Sequence, residues 1–146
     1  MVFRTAYRIT GNAADAEDVL QAVFLRLLRR DPSAQPLDKP ESYLRRAAVN
    51  VSLDTLRARQ EAKDVPLSES PPGEADHGEM RDCLRRALAG LTPRAAEIFA
   101  LRFLEGYSNP EIARMLGISQ VHVAVLLHRT RRQLQKEIRS YLGVRS

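Results

Sequence analysis

Between residues 106 and 134 the chain reads GYSNPEIARMLGISQVHVAVLLHRTRRQL, and its punctuation leaves little choice of local structure. Ser108 followed three residues later by Glu111 is a capping box, the reciprocal arrangement that starts a helix. Pro110 falls in the first turn, where a missing N–H costs nothing. Ile112, Ala113, Met115 and Leu116 give this short helix an apolar side. Gly117 supplies the left-handed conformation that ends a helix. Ser119 can cap a second helix, which runs into Arg129, Arg131 and Arg132. Val123, Leu127, Thr130, Leu134 and Ile138 recur at spacings of three and four and form its core stripe, so the opposite side is left for a partner. Two helices joined by a tight Gly-containing turn, the second one basic, make a helix-turn-helix pattern. The same geometry serves as a plain αα-corner in proteins that never touch DNA, so this stretch alone leaves both readings open.

The 146 residues suffice for one ordinary domain or two small ones, and a hydrophobic content of 44% can build a core. Only 5% of residues are aromatic and Trp is absent, which favours helices over sheets. Cys83 is the single cysteine, so no disulfide can form within the chain, and it reads as a small buried or half-buried helix residue. No Cys/His spacing suits a metal. No nucleophile–base pair or Gly-rich phosphate loop is visible, so neither an enzyme nor a cofactor is expected. No apolar run approaches membrane-spanning length and the N-terminus lacks a signal-peptide pattern, which predicts a cytoplasmic protein. The net charge of +5 is unevenly distributed: residues 1–59 carry +3, residues 60–80 carry −5 and residues 81–146 carry +7. The two basic blocks suit phosphate backbones and the acidic stretch does not.

Taken in order, residues 1–9 read as a helix broken at Gly11. Asn12 can cap the next helix, which runs to about Arg30 with Val19, Leu20, Val23, Phe24, Leu27 and Leu28 as its buried stripe. Asp15, Glu17 and Asp18 at its start are read either as simple favourable charges at a helix N-terminus or as part of a docking face. Residues 31–42, with Pro32, Pro36 and Pro40, are a loop. A helix follows over 41–59, in which Asn50 and Asp54 can bond to each other or to a neighbouring helix. Residues 60–79 have linker composition and mark a domain boundary. Helices are expected over 80–89 and, opened by Thr92-Pro93, over 93–105. The pattern is all-α: two small helical domains, 1–59 and 80–146, on a flexible acidic linker at 60–79, the second domain holding the helix-turn-helix.

Four stretches, in order, resemble the extracytoplasmic-function (ECF) sigma factors of bacterial RNA polymerase. They are DAEDVLQAVFLRL from Asp15, YLRRAAVNVSLDTLR from Tyr43, LTPRAAEIFALRFLEGYS from Leu91, and EIARMLGIS followed by HRTRRQL. The resemblance spans most of the chain outside 60–79. It implies that Asp15, Glu17, Asp18, Gln21 and Phe24 dock on the β′ clamp helices of core polymerase, the enzyme whose β and β′ subunits a sigma factor contacts. It implies that Tyr43, Arg45, Arg46, Asn50 and Arg57, with the 31–42 loop, read and melt the minus-ten element. Ser119, Gln120, Val121, His122, Val125, His128, Arg129 and Arg132 would meet the major groove of the minus-thirty-five element. An anti-sigma factor is an implied partner. The acidic linker would thread a channel that otherwise holds RNA, or would be a solvated tether.

Two features depart from the family pattern. The chain starts within what is the latter part of the family's first helical bundle, so at least one further helix is expected before Met1. The second helix of the helix-turn-helix carries valines where polar residues are usual. At about 100° per residue, Val121 and Val125 fall on the side facing away from Leu127. Valine can touch a thymine methyl but supplies no hydrogen bond. Three readings therefore stand: a promoter-recognition subunit; a sigma-like interaction protein with weak or lost promoter reading; and a plain helix-turn-helix regulator, which would have no use for the Asp15–Leu27 helix.

Overall fold

The computed structural model describes residues 1–31, 33, 39–62, 75–141 and 143, and among these there is no strand. Helix α1 spans Val2–Thr10 and ends at Gly11, whose φ of 68° is the left-handed conformation that glycine adopts without penalty. Asn12 Oδ1 accepts from the Asp15 N–H at 3.1 Å and starts α2, Ala13–Leu28. Helix α3, Pro40–Ala62, is a turn longer than its periodicity suggests, because Gln60, Glu61 and Ala62 are all good helix formers. Helix α4, Ala75–Ala89, likewise begins within the expected linker. What remains of that linker, 63–74, lies outside the described residues, as do Pro32 and residues 34–38 of the expected 31–42 loop.

Thr92 takes the N-cap position of α5, Pro93–Phe99, in extended conformation, but its hydroxyl makes no capping bond. The helix expected to run unbroken to Glu105 changes hand-hold after Phe99. Residues Ala100–Leu104 form a π-helical turn, and the Glu105 N–H reaches back five residues to the Ala100 carbonyl at 3.0 Å. Such widened turns re-aim the residues that follow them. Helix α6, Asn109–Leu116, has both halves of the capping box, Ser108 Oγ accepting from Glu111 N–H and the Glu111 carboxylate accepting from Ser108 N–H. Gly117, with φ of 69°, turns the chain into α7, Gln120–Tyr141, which the Ser119 hydroxyl caps by accepting from His122 N–H at 3.0 Å.

Helices α1, α2 and α3 pack on one another, and α5, α6 and α4 gather around α7. The first group encloses a cluster of small side chains, Ala6, Ala16, Val19, Val23 and Ala47. The larger cluster crosses from one group to the other. It joins Ile9, Val49, Leu53 and Leu56 to Ala87, Leu88, Leu91, Ile98, Leu101, Ile112, Val123, Leu127 and Leu134. Helix α4 is the bridge, packing on both α3 and α7. Its Arg85 Nε donates to the Ile9 carbonyl at the end of α1, 3.1 Å away, and the same guanidinium lies over Gly11, where a Cβ would fall 2.2 Å from it. Cys83 is buried at 4% exposure, the first of the two settings its sequence context allows.

Two residues expected in the core are not there, and a third large apolar residue also lies outside it. Phe24 and Leu28 of the α2 stripe are 58% and 79% exposed, and Phe103 is 41% exposed. In α2 the apolar stripe is wider than the surface α1 and α3 cover. Val19 and Val23 go inside and the flanking residues stay out. Phe103 is turned outward by the π turn. There its ring packs at a tilt of 46° against Phe99, centroids 4.8 Å apart, and lies under Arg131, 5.0 Å away.

The capping box gives a first prediction. Replacing Ser108 by Ala should destabilise the folded chain by about 1 kcal/mol, read as a lower urea midpoint with unchanged slope. The hydrogen bonds from the Ser108 hydroxyl and N–H hold the Glu111 carboxyl below its ordinary value. Its contribution is therefore present above the unfolded carboxylate pKa and lost as pH falls through the lower folded one. The stability gap between the unaltered chain and Glu111→Ala should narrow on acidification through the carboxylate range.

Candidate nucleic-acid interface

The outward side of α7 is the simplest part of the site. Val123, Leu127, Thr130 and Leu134 are buried, which fixes the rotation of the helix about its axis. Gln120, Val121, His122, Val125, His128, Arg129 and Arg132 are then all exposed together with Ser119, Val121 at 73% and Val125 at 41%. Gln120–Tyr141 carries five basic residues and one acidic residue, Glu137. The face is thus a band of two valines and two histidines bordered by arginines. Phosphate groups would meet the arginines, and the valines offer methyl contact only. Arg114 on the exposed side of α6 and Gln120 line a shallow depression at the turn between the two helices.

On α2 the five residues that the sequence groups together separate. Glu17, Asp18, Gln21 and Phe24 are exposed, but Asp15 is buried at 6% and ion-paired with Arg59 at the far end of α3. The hydrogen bond to Asp15 raises the Arg59 pKa above its usual value against the opposing effect of burial. Asp15 therefore ties α2 to α3 and is not part of the outward face. That face gains two residues instead. Leu25, 47% exposed, and Leu28 sit beside Phe24, so an apolar patch adjoins the acidic and amide side chains. The periodicity concealed this by assigning Leu28 to the core.

Helix α3 differs most from expectation. Tyr43, Arg45, Arg46, Asn50 and Arg57 are all half-buried. Arg46 donates through Nε at 3.0 Å and Nη2 at 3.4 Å to the Glu97 carboxylate, and Asn50 Nδ2 donates to the same group at 2.7 Å. Arg46 also reaches the Met115 carbonyl at 3.5 Å. Arg45 donates to Glu105 at 2.8 Å and to Glu41 at 3.3 Å, and lies 5.4 Å from the Tyr107 ring centre. Burial works to lower the Arg45 pKa, but the bond to Glu105 and the surrounding negative charge outweigh it and hold the pKa raised. Arg57 pairs with Asp54 at 3.0 Å, so Asn50 and Asp54 take separate partners rather than each other. Glu97 and Glu105 come from the C-terminal half. One signal could have found Glu97: it is an acid set between Ala96 and Ile98 in a helix apolar on more than one side, and a buried acid needs donors.

Comparison with known proteins places this geometry. The sigma-70 region 2 family model matches residues 1–62, and the sigma-70 region 4 model matches residues 81–134. The chain is 34% identical to the ECF RNA polymerase sigma factor SigE of Mycolicibacterium smegmatis, over 99% of this chain and 58% of that protein. It is 32% identical to the RNA polymerase sigma-E factor of Streptomyces coelicolor, over 94% of this chain and 79% of that one. Among solved structures, the fold is similar to RpoE of Bartonella quintana, crystallised with the anti-sigma factor NepR. The TM-score is 0.54 at 19% identity, covering 99% of this chain and 91% of that one. SigJ of Mycobacterium tuberculosis matches with a TM-score of 0.51 at 22% identity, over 91% and 49% of the two chains. With a region 2 helical bundle, a region 4 helix-turn-helix and relatives of this closeness, the chain belongs to the extracytoplasmic-function sigma factors of bacterial RNA polymerase.

Proposed function

We propose that the chain binds core RNA polymerase through the exposed face of α2 and directs it to promoters, with no catalytic step of its own. The observation that carries this reading is the pairing of two outward faces of different chemistry on the region 2 and region 4 parts. One is the Phe24–Leu28 patch beside Glu17, Asp18 and Gln21, and the other is the basic band of α7. The docking surface proposed on the polymerase is the β′ clamp, with β contributing to the region 4 side. The α3 residues Tyr43, Arg45, Arg46, Asn50 and Arg57 would take the minus-ten strand. A base extruded from the stack costs a few kcal/mol, which polymerase binding would offset. Residues Ser119–Arg132 would enter the minus-thirty-five major groove, Val121 and Val125 against thymine methyls and Arg129 and Arg132 against phosphate. The working compartment would be the cytoplasm. Among the described residues no helix is long and apolar enough to cross a membrane. An anti-sigma factor is a further proposed partner, as NepR is for the Bartonella RpoE.

Docking is tested on the exposed patch, where substitution leaves the core alone. Phe24→Ala with Leu28→Ala removes apolar groups that would be buried at the interface, worth about 1.5–3 kcal/mol each when fully buried. Core polymerase affinity in a fluorescence competition assay should fall at least tenfold while far-UV circular dichroism is unchanged. Asp18→Arg with Gln21→Ala should weaken it as well. Unaltered affinity in both variants would remove α2 from the docking surface.

DNA reading is tested on α7. Replacing thymine by uracil at the contacted position deletes one methyl, about 1 kcal/mol of apolar burial. Arg132→Ala should weaken all DNA sequences about equally, because phosphate contacts carry no sequence information. Val125→Asp should sharply reduce promoter affinity. If it instead abolishes binding of a protein partner and leaves DNA affinity in place, the exposed valines are a protein-binding patch.

A further inference from the structure

A groove of about 550 Å³ lies between α1, α4 and the π turn, away from the outward faces of α2 and α7. Small ligands are held in clefts of about 300–1,000 Å³. Its apolar lining includes the buried Ile9 and Leu88 and the half-buried Leu84. Two aromatic residues line it while remaining in water, Tyr7 at 49% exposure and Phe103 at 41%. The Tyr7 ring stacks on Phe3, one turn back along α1, with centroids 6.2 Å and planes 21° apart, which limits its rotation. Phe103 reaches the groove because of the π turn, and such turns recur at functional sites. The rest of the lining is mainly basic: Arg8, Arg81 and Arg85 against one acid, Asp82. Asp82 pairs with Arg85 at 3.6 Å, and Arg85 Nε is committed to the Ile9 carbonyl. Arg8 is exposed and engaged through Nη1 alone, with Glu105. Arg81 is exposed and has no hydrogen-bond or ion-pair partner among the described residues. Arg102 and Arg131 add positive charge at the Phe103 wall, 5.5 and 5.0 Å from its ring centre.

We propose that this groove is a binding site for a phosphorylated nucleoside, its base packed on Tyr7 and Phe103 and its phosphates on Arg81 and Arg8. Both parts of such a ligand are called for. Two rings at the boundary between an apolar lining and water suit a planar heteroaromatic group, since stacking requires only a π face and is tolerant of which base supplies it. Guanidinium groups beside them suit a phosphate, which accepts paired N–H donors and brings the opposite charge. A carboxylate ligand without a ring would leave Tyr7 and Phe103 in water, and an uncharged ring would leave Arg81 without a partner. Asp82 neutralises Arg85, so the phosphate end falls to Arg81 and to the donors that Arg8 does not spend on Glu105. Ligand bound to the folded chain alone would stabilise it by mass action. The inference is independent of the promoter reading.

The test is isothermal titration of the full chain with ATP and GTP, and with two partial probes, adenosine and inorganic triphosphate. Each nucleotide should bind more tightly than either partial probe by about tenfold or more, because only it offers stacking and charge together. Tyr7→Ala should weaken ATP binding about tenfold, the order of one lost base stack, and Tyr7→Phe should retain it. Arg81→Ala should weaken ATP and inorganic triphosphate alike and leave adenosine unchanged. Both side chains are exposed, so the variants should keep the far-UV circular dichroism of the unaltered chain. ATP should also raise the thermal unfolding midpoint of the unaltered chain and fail to raise that of Tyr7→Ala. A single-stranded oligonucleotide separates two sources of the same chemistry. Displacement of ATP that is lost in Tyr7→Ala identifies the ligand as a unit of a strand, and ATP that stays bound identifies a free nucleotide. Inorganic triphosphate binding as tightly as ATP would overturn the proposal, as would an ATP affinity indifferent to Tyr7→Ala or no binding of ATP or GTP at millimolar concentration. Neither polymerase nor promoter enters the assay, so its failure leaves the promoter reading standing.

Discussion

A carboxylate withdrawn from water must be given donors, and the meeting of the two halves is arranged around giving them to Glu97. Apolar contacts are non-directional, so the cluster shared by Val49, Leu53, Ile98 and Leu101 would tolerate several ways of laying α5 across α3. The fork of Arg46 and the amide of Asn50 select one of them. Glu105 provides a second fixed point, and it exists only because the chain changes from α to π geometry after Phe99. The resulting turn carries Glu105 to Arg8 on α1 and Arg45 on α3 while leaving Phe103 outside. With two anchored points the rotation of the C-terminal half on the N-terminal bundle is set.

The N-terminal bundle depends on that meeting for its own stability. Its private cluster is made of three alanines and two valines, which bury little apolar surface. Its larger side chains, Ile9, Leu53 and Leu56, face the shared cluster instead. A bundle of this size held by small residues is marginal alone. Packing against α4 and α5 supplies the missing burial, and the cap that Arg85 places on the end of α1 adds to it. Neither half covers Phe24, Leu25 and Leu28, and on the proposed reading polymerase would bury them.

The helices and their caps were legible in the sequence because they are local. Gly11, Asn12, Ser108, Gly117 and Ser119 act as their residue types predict, and the α7 stripe from Val123 to Leu134 is buried as its spacing requires. What periodicity could not supply was how much of a stripe a neighbour covers. That is why Phe24 and Leu28 were assigned inward, and why Asp15 was grouped with its exposed neighbours although Arg59, 44 positions away, claims it. The same limit hid the α3 contacts. Arg45, Arg46 and Asn50 can be picked out as polar groups on one helix, but their partners lie 47 to 60 positions further on. No local pattern connects them. The π turn is equally invisible, since ALRFL carries no residue that forbids an ordinary helix.

The valines of α7 bear on how the two halves would work together. A methyl contact discriminates weakly, and the phosphate contacts proposed for Arg129 and Arg132 would not discriminate at all. Region 4 of this chain, acting alone, would therefore bind many sequences with similar affinity. A single extruded base held by α3 offers few contacts as well. Selectivity would then come from simultaneous engagement, where the first contact raises the effective concentration of the second and the product of two modest preferences becomes a large one. That multiplication needs both faces free at once, whereas here Arg45, Arg46 and Asn50 of α3 are paired with Glu105 and Glu97.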